Sequence, residues 1–120
     1  MELTFRFGFD AAHRFDHFPA SHPNYGLHGH SFQAEVTIRG EPDPKTGFIV
    51  AFEDLESACL AARAKLDHRT LNDVPGLETP SLENLCLWLW KEVHPRMPAL
   101  AKVSVRRDSA GQTCTYAPGG

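Results

Sequence analysis

Two histidines, His28 and His30, stand either side of a glycine in the run NYGLHGHSF at residues 24–32. Side chains on a strand alternate between its faces, so imidazoles two apart share one face. A third, His13, closes a run in which Leu3, Phe5, Phe7, Phe9 and Ala11 take the odd positions and Glu2, Thr4, Arg6 and Asp10 the even ones. That alternation is the pattern of a half-buried strand. His28 and His30 in turn open a run whose apolar face continues through Phe32, Ala34, Val36 and Ile38. All three histidines therefore extend the buried faces of two strands. A lone buried histidine is ordinarily a satisfied core residue. Three at adjacent strand ends each need a partner, and three neutral imidazoles with an open fourth position make the ligand set of a catalytic zinc site. No thiolate lies near them in sequence to close the shell, so zinc with a free coordination position is expected.

A second pair with chemical potential is Asp67–His68 in KLDHRTLND. It falls at the C-terminal end of a helical pattern, where the macrodipole favours an imidazolium and a neighbouring carboxylate can fix the ring's tautomer. Capping alone would also place basic residues there. The three cysteines, Cys59, Cys86 and Cys114, are dispersed with no C-x-x-C, a poor disulfide framework and a poor zinc-thiolate cluster. Cys59 and Cys86 sit in apolar helical patterns and read as small core residues; Cys114 stays open.

The elements that must position these groups follow in a simple order. The first strand ends at His13 and the second runs from His28 to Arg39. The turn formers of EPDPKTG lead to a short extended piece, Phe48 to Phe52. Phe52, Leu55, Cys59, Ala62 and Leu66 recur at helical spacing, which predicts a helix from about Glu53 to Leu66. Thr79 before Pro80 reads as an N-cap with proline at the first helical position, and Leu82, Leu85, Leu89 and Val93 mark the second helix. Val103 and Val105 begin a third strand, SAGQ turns it, and Thr113 to Tyr116 pairs back. The expectation is one α+β domain over residues 1–120, ordered ββααββ, with two helices on one face of an antiparallel sheet. The other face must be polar or covered by another subunit.

Composition agrees with a globular enzyme or binding module. Of the 120 residues, 42% are hydrophobic and 22% charged, and the formal net charge is -3. Without a basic patch, a nucleic-acid partner is not expected. No apolar stretch is long enough for a bilayer span and Met1 is followed by Glu2, so neither membrane nor leader is expected and the cytoplasm is the default location.

The motifs FDAAHRF, LHGHSF, KLDHRTLND and ETPSLENL, taken in this order, resemble those of the 6-pyruvoyl-tetrahydropterin synthase family, which includes the bacterial 6-carboxy-tetrahydropterin synthase of queuosine biosynthesis. The resemblance spans essentially the whole chain. It implies the tunnelling fold (T-fold), in which trimers close a β-barrel and stack into hexamers with shared active sites. It also implies zinc on His13, His28 and His30, and 7,8-dihydroneopterin triphosphate or a related pterin-like small molecule as substrate. The zinc would acidify the substrate's side-chain hydroxyls and adjacent C–H bonds. Asp67 and His68 match an Asp-His pair that assists a cysteine base, and Ser81 and Glu83 fall in the substrate-binding motif.

The chain departs from that pattern at three places. Asn24, four residues before His28, stands where the family carries its cysteine base, and an amide cannot abstract a carbon-bound proton. His22, ahead of Tyr25 and His17, is the nearest substitute by proximity. Arg107 stands where a glutamate grips the amino-pyrimidine edge, and it offers donors only; Asp108 would replace it if a β-bulge shifted the face by one residue. Leu82 stands where many relatives carry a hydroxyl residue. Two readings follow: a zinc lyase with a substituted base, or a zinc-containing protein that binds a pterin- or purine-like compound without the standard synthase reaction.

Overall fold

The computed structural model describes all 120 residues, and its elements run β1 (Glu2–His13), β2 (His28–Arg39), α1 (Phe52–Ala64), α2 (Leu82–Val93), β3 (Leu100–Arg107) and β4 (Gln112–Tyr116). The strands form one antiparallel sheet in the order β1-β2-β3-β4. Short 3₁₀ turns at Leu71–Asp73 and Asp108–Ala110 complete the chain. The α+β class and the ββααββ order expected from periodicity are therefore observed.

The alternation of β1 and β2 decides which face is dry. Phe7, Phe9, Phe32, Ala34, Val36 and Ile38 are buried on the helix side, where they meet Leu55 and Cys59 of α1 and Leu85 and Leu89 of α2. Phe9 and Phe32 stack with their centroids 4.9 Å apart. The helix-free face is polar. Thr4 and Thr37 share a hydroxyl hydrogen bond of 2.8 Å, and Glu35 accepts ion pairs from both Arg6 and Arg106.

Local hydrogen bonding moves several expected boundaries. The extended piece from Phe48 to Phe52 is not a strand, and Phe52 already opens α1. The Asp43 carboxylate accepts the Lys45 and Thr46 N–H groups and the Asp43 N–H donates to Phe48 O, so the segment satisfies itself in a turn and no neighbouring strand reaches it. The N-cap of α2 is Ser81, not Thr79. Ser81 Oγ accepts the Asn84 N–H at 3.1 Å, while Asn84 Nδ2 reaches back to Thr79 O. A cap must sit immediately before the first helical residue, here Leu82, to reach the orphan N–H groups, and Thr79 lies two residues too early for that. The register shift in the sheet lies between Thr37 and Ile38, opposite β3, and the β3–β4 ladder is regular through Arg107 and Gln112. No bulge therefore turns Asp108 onto the helix-side face. It enters a 3₁₀ turn closed by Gly111 at φ 66°, a left-handed position that suits glycine.

Candidate metal centre and its cavity

The last rungs of the β1–β2 ladder pair His13 with His28 and Ala11 with His30, which brings the three imidazoles to one end of the sheet. Phe32, the next inward residue on β2, lies under them, its centroid 6.0 Å from that of His13 and 5.7 Å from that of His30. Ligand atoms of His13, His28 and His30 all fall within 4.8 Å of one another.

The second ring nitrogens settle what these atoms offer. His28 Nδ1 lies 2.7 Å from Gly26 O and His13 Nδ1 3.3 Å from Pro80 O. A carbonyl accepts only, so each Nδ1 carries the proton and donates it, leaving Nε2 as a bare lone pair. The two Nε2 atoms face each other at 3.0 Å. Two lone pairs at that distance repel unless a cation lies between them, and an ion with Zn–N bonds of about 2.0–2.1 Å would reach both once the rings opened slightly. Burial, and next the neighbouring His28 ring, hold the His13 pKa down at about 4. Burial, and then the Arg107 charge, also lower that of His30. Neutral imidazoles are what a metal needs, and the three ligand atoms are close enough together that they could hold one ion.

Above His13 opens a cavity of about 690 Å³, within the range for small-molecule sites. Asn24, Ser81, Glu83 and Arg107 all line it, together with the rings of Phe15 and Phe18. Arg107 Nη1 approaches His30 Nε2 at 3.2 Å, and Arg107 Nη2 donates to Gln112 Oε1. Leu82 is also at the wall. Sequence reasoning left Cys114 open, and it is one of the β4 residues that line this cavity. Its pairing opposite Val105 shows which signal was available, because it shares the parity of the buried face. Cys59 and Cys86 are buried, and burial pushes both thiols up to about 12.

A separate groove contains His30 and Ser31 with Asp10 and His68. Here Asp67 acts as an anchor. Its Oδ1 accepts the Asp10 N–H at 2.9 Å, and its Oδ2 meets Arg63 at 3.2 Å and His68 Nδ1 at 3.0 Å. The Asp10 N–H foremost, helped by His68 and Arg63, holds the Asp67 carboxyl below the usual range. His68 itself sits at φ 59°, a left-handed backbone that costs a non-glycine residue on the order of 1 kcal/mol. Its N–H donates to Asp10 O at 2.7 Å and its ring is 79% exposed, so it projects outward from a firmly held backbone.

Two of the expected site residues stand apart. His22 Nδ1 accepts the Asn24 N–H at 3.1 Å and the ring stacks on Phe18 at 4.0 Å, which uses its near face to build the loop. Asp108 is turned to Arg106 Nε at 2.8 Å and lines neither opening.

The sequence profile of the 6-pyruvoyl tetrahydropterin synthase family matches residues 2–118. A dihydroneopterin monophosphate aldolase from Pyrococcus furiosus is 31% identical over 103 residues, covering 84% of this chain and 82% of its own. A 6-carboxy-5,6,7,8-tetrahydropterin synthase from Synechocystis is 32% identical over 117 residues, with 92% and 85% covered. In fold, the structure of Caenorhabditis elegans 6-pyruvoyl tetrahydropterin synthase superposes with a TM-score of 0.86 at 24% identity, over 99% of this chain and 96% of that one.

Proposed function

The chain belongs to the 6-pyruvoyl tetrahydropterin synthase family, and on that premise we propose that it is a zinc-dependent lyase acting on the side chain of a dihydropterin, with His13, His28 and His30 as the metal ligands. The observation that carries this reading is the pair of Nε2 lone pairs held 3.0 Å apart at a cavity large enough for a bicyclic ring. Zinc bound there would supply Lewis-acid polarisation of the side-chain hydroxyls. The protein's own residues do the rest. Glu83 and Ser81 accept hydrogen bonds from the ring's amino-pyrimidine donors, and Phe15 and Phe18 exclude water from its faces. Asp67 orients His68, whose exposed ring takes up and returns a proton. Asn24 cannot ionise, so it orients a hydroxyl rather than abstracting a proton; Cys114 is the one cysteine among the residues that line the cavity.

The assembly is part of the same reading. The outer edges of β1 and β4 are free over most of their length, and an unpaired edge is a template for another chain. Homo-oligomers, trimers or hexamers, would close these edges and bring the exposed ring of His68 against a neighbour's cavity. The test is incubation of zinc-loaded protein with 7,8-dihydroneopterin triphosphate and with the monophosphate. Release of a two-carbon aldehyde or of triphosphate above a His28→Ala control supports the lyase. A second reading, binding without turnover, is favoured by Asn24 at the cavity wall; tight binding with no product would select it.

A further inference from the structure

The guanidinium of Arg107 is unlike the others on the sheet. Arg6, Arg39 and Arg106 each pair with a carboxylate. Arg107 pairs with none. Its Nη groups meet only neutral acceptors, His30 Nε2 and Gln112 Oε1, and its Nε is buried without any partner. Glu83 is the one carboxylate that lines the same cavity, and it forms no ion pair with Arg107. A guanidinium carries five donors in a fixed fork and no acceptor, and leaving one buried and unpaired is costly. The His30 contact is also conditional: a cation held by the triad takes that Nε2 lone pair, which leaves two positive charges side by side.

We propose that Arg107 makes this cavity a receptor for an oxyanion, so that the ligand brings a phosphate or carboxylate to the wall beside His30. An oxyanion supplies acceptors in the planar geometry that arginine matches two at a time, and its charge lies between the guanidinium and the metal position. A ligand presenting N–H donors to this wall meets donors and is rejected. The polarity of the cavity then fixes the ligand's direction, with its donor edge toward Glu83 and its anionic end toward Arg107. The proposal deepens the pterin reading and takes the ring's identity from it, whereas the anion rests on Arg107 itself.

Calorimetric titration of the zinc-loaded protein with neopterin, neopterin monophosphate, 6-carboxypterin and pyrophosphate tests this, alongside Arg107→Gln and Arg107→Lys proteins matched for zinc content and circular dichroism. A charged hydrogen-bond acceptor is worth about tenfold or more in affinity, so at least one anionic pterin binds that much more tightly than neopterin. Arg107→Gln abolishes the preference while neopterin binding holds, and Arg107→Lys keeps part of it. Whichever of the two anionic pterins gains identifies the source of the charge. A preference that survives in Arg107→Gln, or no preference in the unaltered protein, overturns the proposal. If no pterin binds but pyrophosphate binds the unaltered protein and not Arg107→Gln, the anion receptor stands and the pterin reading falls.

Discussion

His13 is 1% exposed, and its neutrality has a measurable consequence in the metal-free protein. As pH falls through 6.5 the unfolded chain takes up a proton at this ring, whereas the folded one does so only near 4. The folded state is then disfavoured progressively across that interval, and the lowered pKa of His30 acts in the same direction. Thermal melting of metal-free protein should show a midpoint that falls from pH 7 to pH 5, and a flat profile would contradict a buried neutral imidazole. Metal analysis should find one zinc per chain, lost in His30→Ala; full occupancy in that variant would sink the ligand assignment. Asp67→Asn retains an acceptor for the Asp10 N–H but weakens the hold on His68. Turnover should drop sharply with a midpoint that moves by only a few degrees, and the reverse would mean the carboxylate serves the fold alone. At this scale the triad was legible because strand parity fixes direction. The His30 contact of Arg107 and the left-handed backbone of His68 were not, since both arise where segments distant in sequence meet.

The strands were read closely from alternation, because one dry face demands it over the full length of β1 and β2. Helix ends were read less well. Thr79, Pro80 and Ser81 all suit the start of a helix, and the choice among them falls to whichever hydroxyl reaches an orphan N–H group. Here Ser81 Oγ does so, which frees Pro80 O to orient His13. Ser81→Ala should destabilise the protein by about 1 kcal/mol, read as a shift in the denaturant midpoint at unchanged slope. Thr79→Ala should cost less, since only its backbone carbonyl is used. Equal losses in the two variants would return the cap to Thr79.

The whole molecule is elongated, with extents of 59 × 26 × 23 Å, and its two edge strands lie on opposite sides of the sheet. Open edges on both sides of an antiparallel sheet are templates for pairing with another chain. Light scattering at micromolar concentration should therefore find three or six chains, and a monomer would leave the edges unexplained. The sequence left the second face as either polar or covered, and it is polar, while the number of copies depends on strand twist and edge shape that no residue pattern encodes. The pairing of His13 with His28 at the very end of the ladder also bears on how the chain opens and closes. Residues 14–27 form the loop between them, so a shared ion acts as a crosslink across that loop and removes the entropy that its ends would regain on fraying. Without metal, the two opposed lone pairs weaken this end of the hairpin. Amide hydrogen exchange should run fastest there, grading down β1 toward Phe5, and metal should flatten the gradient.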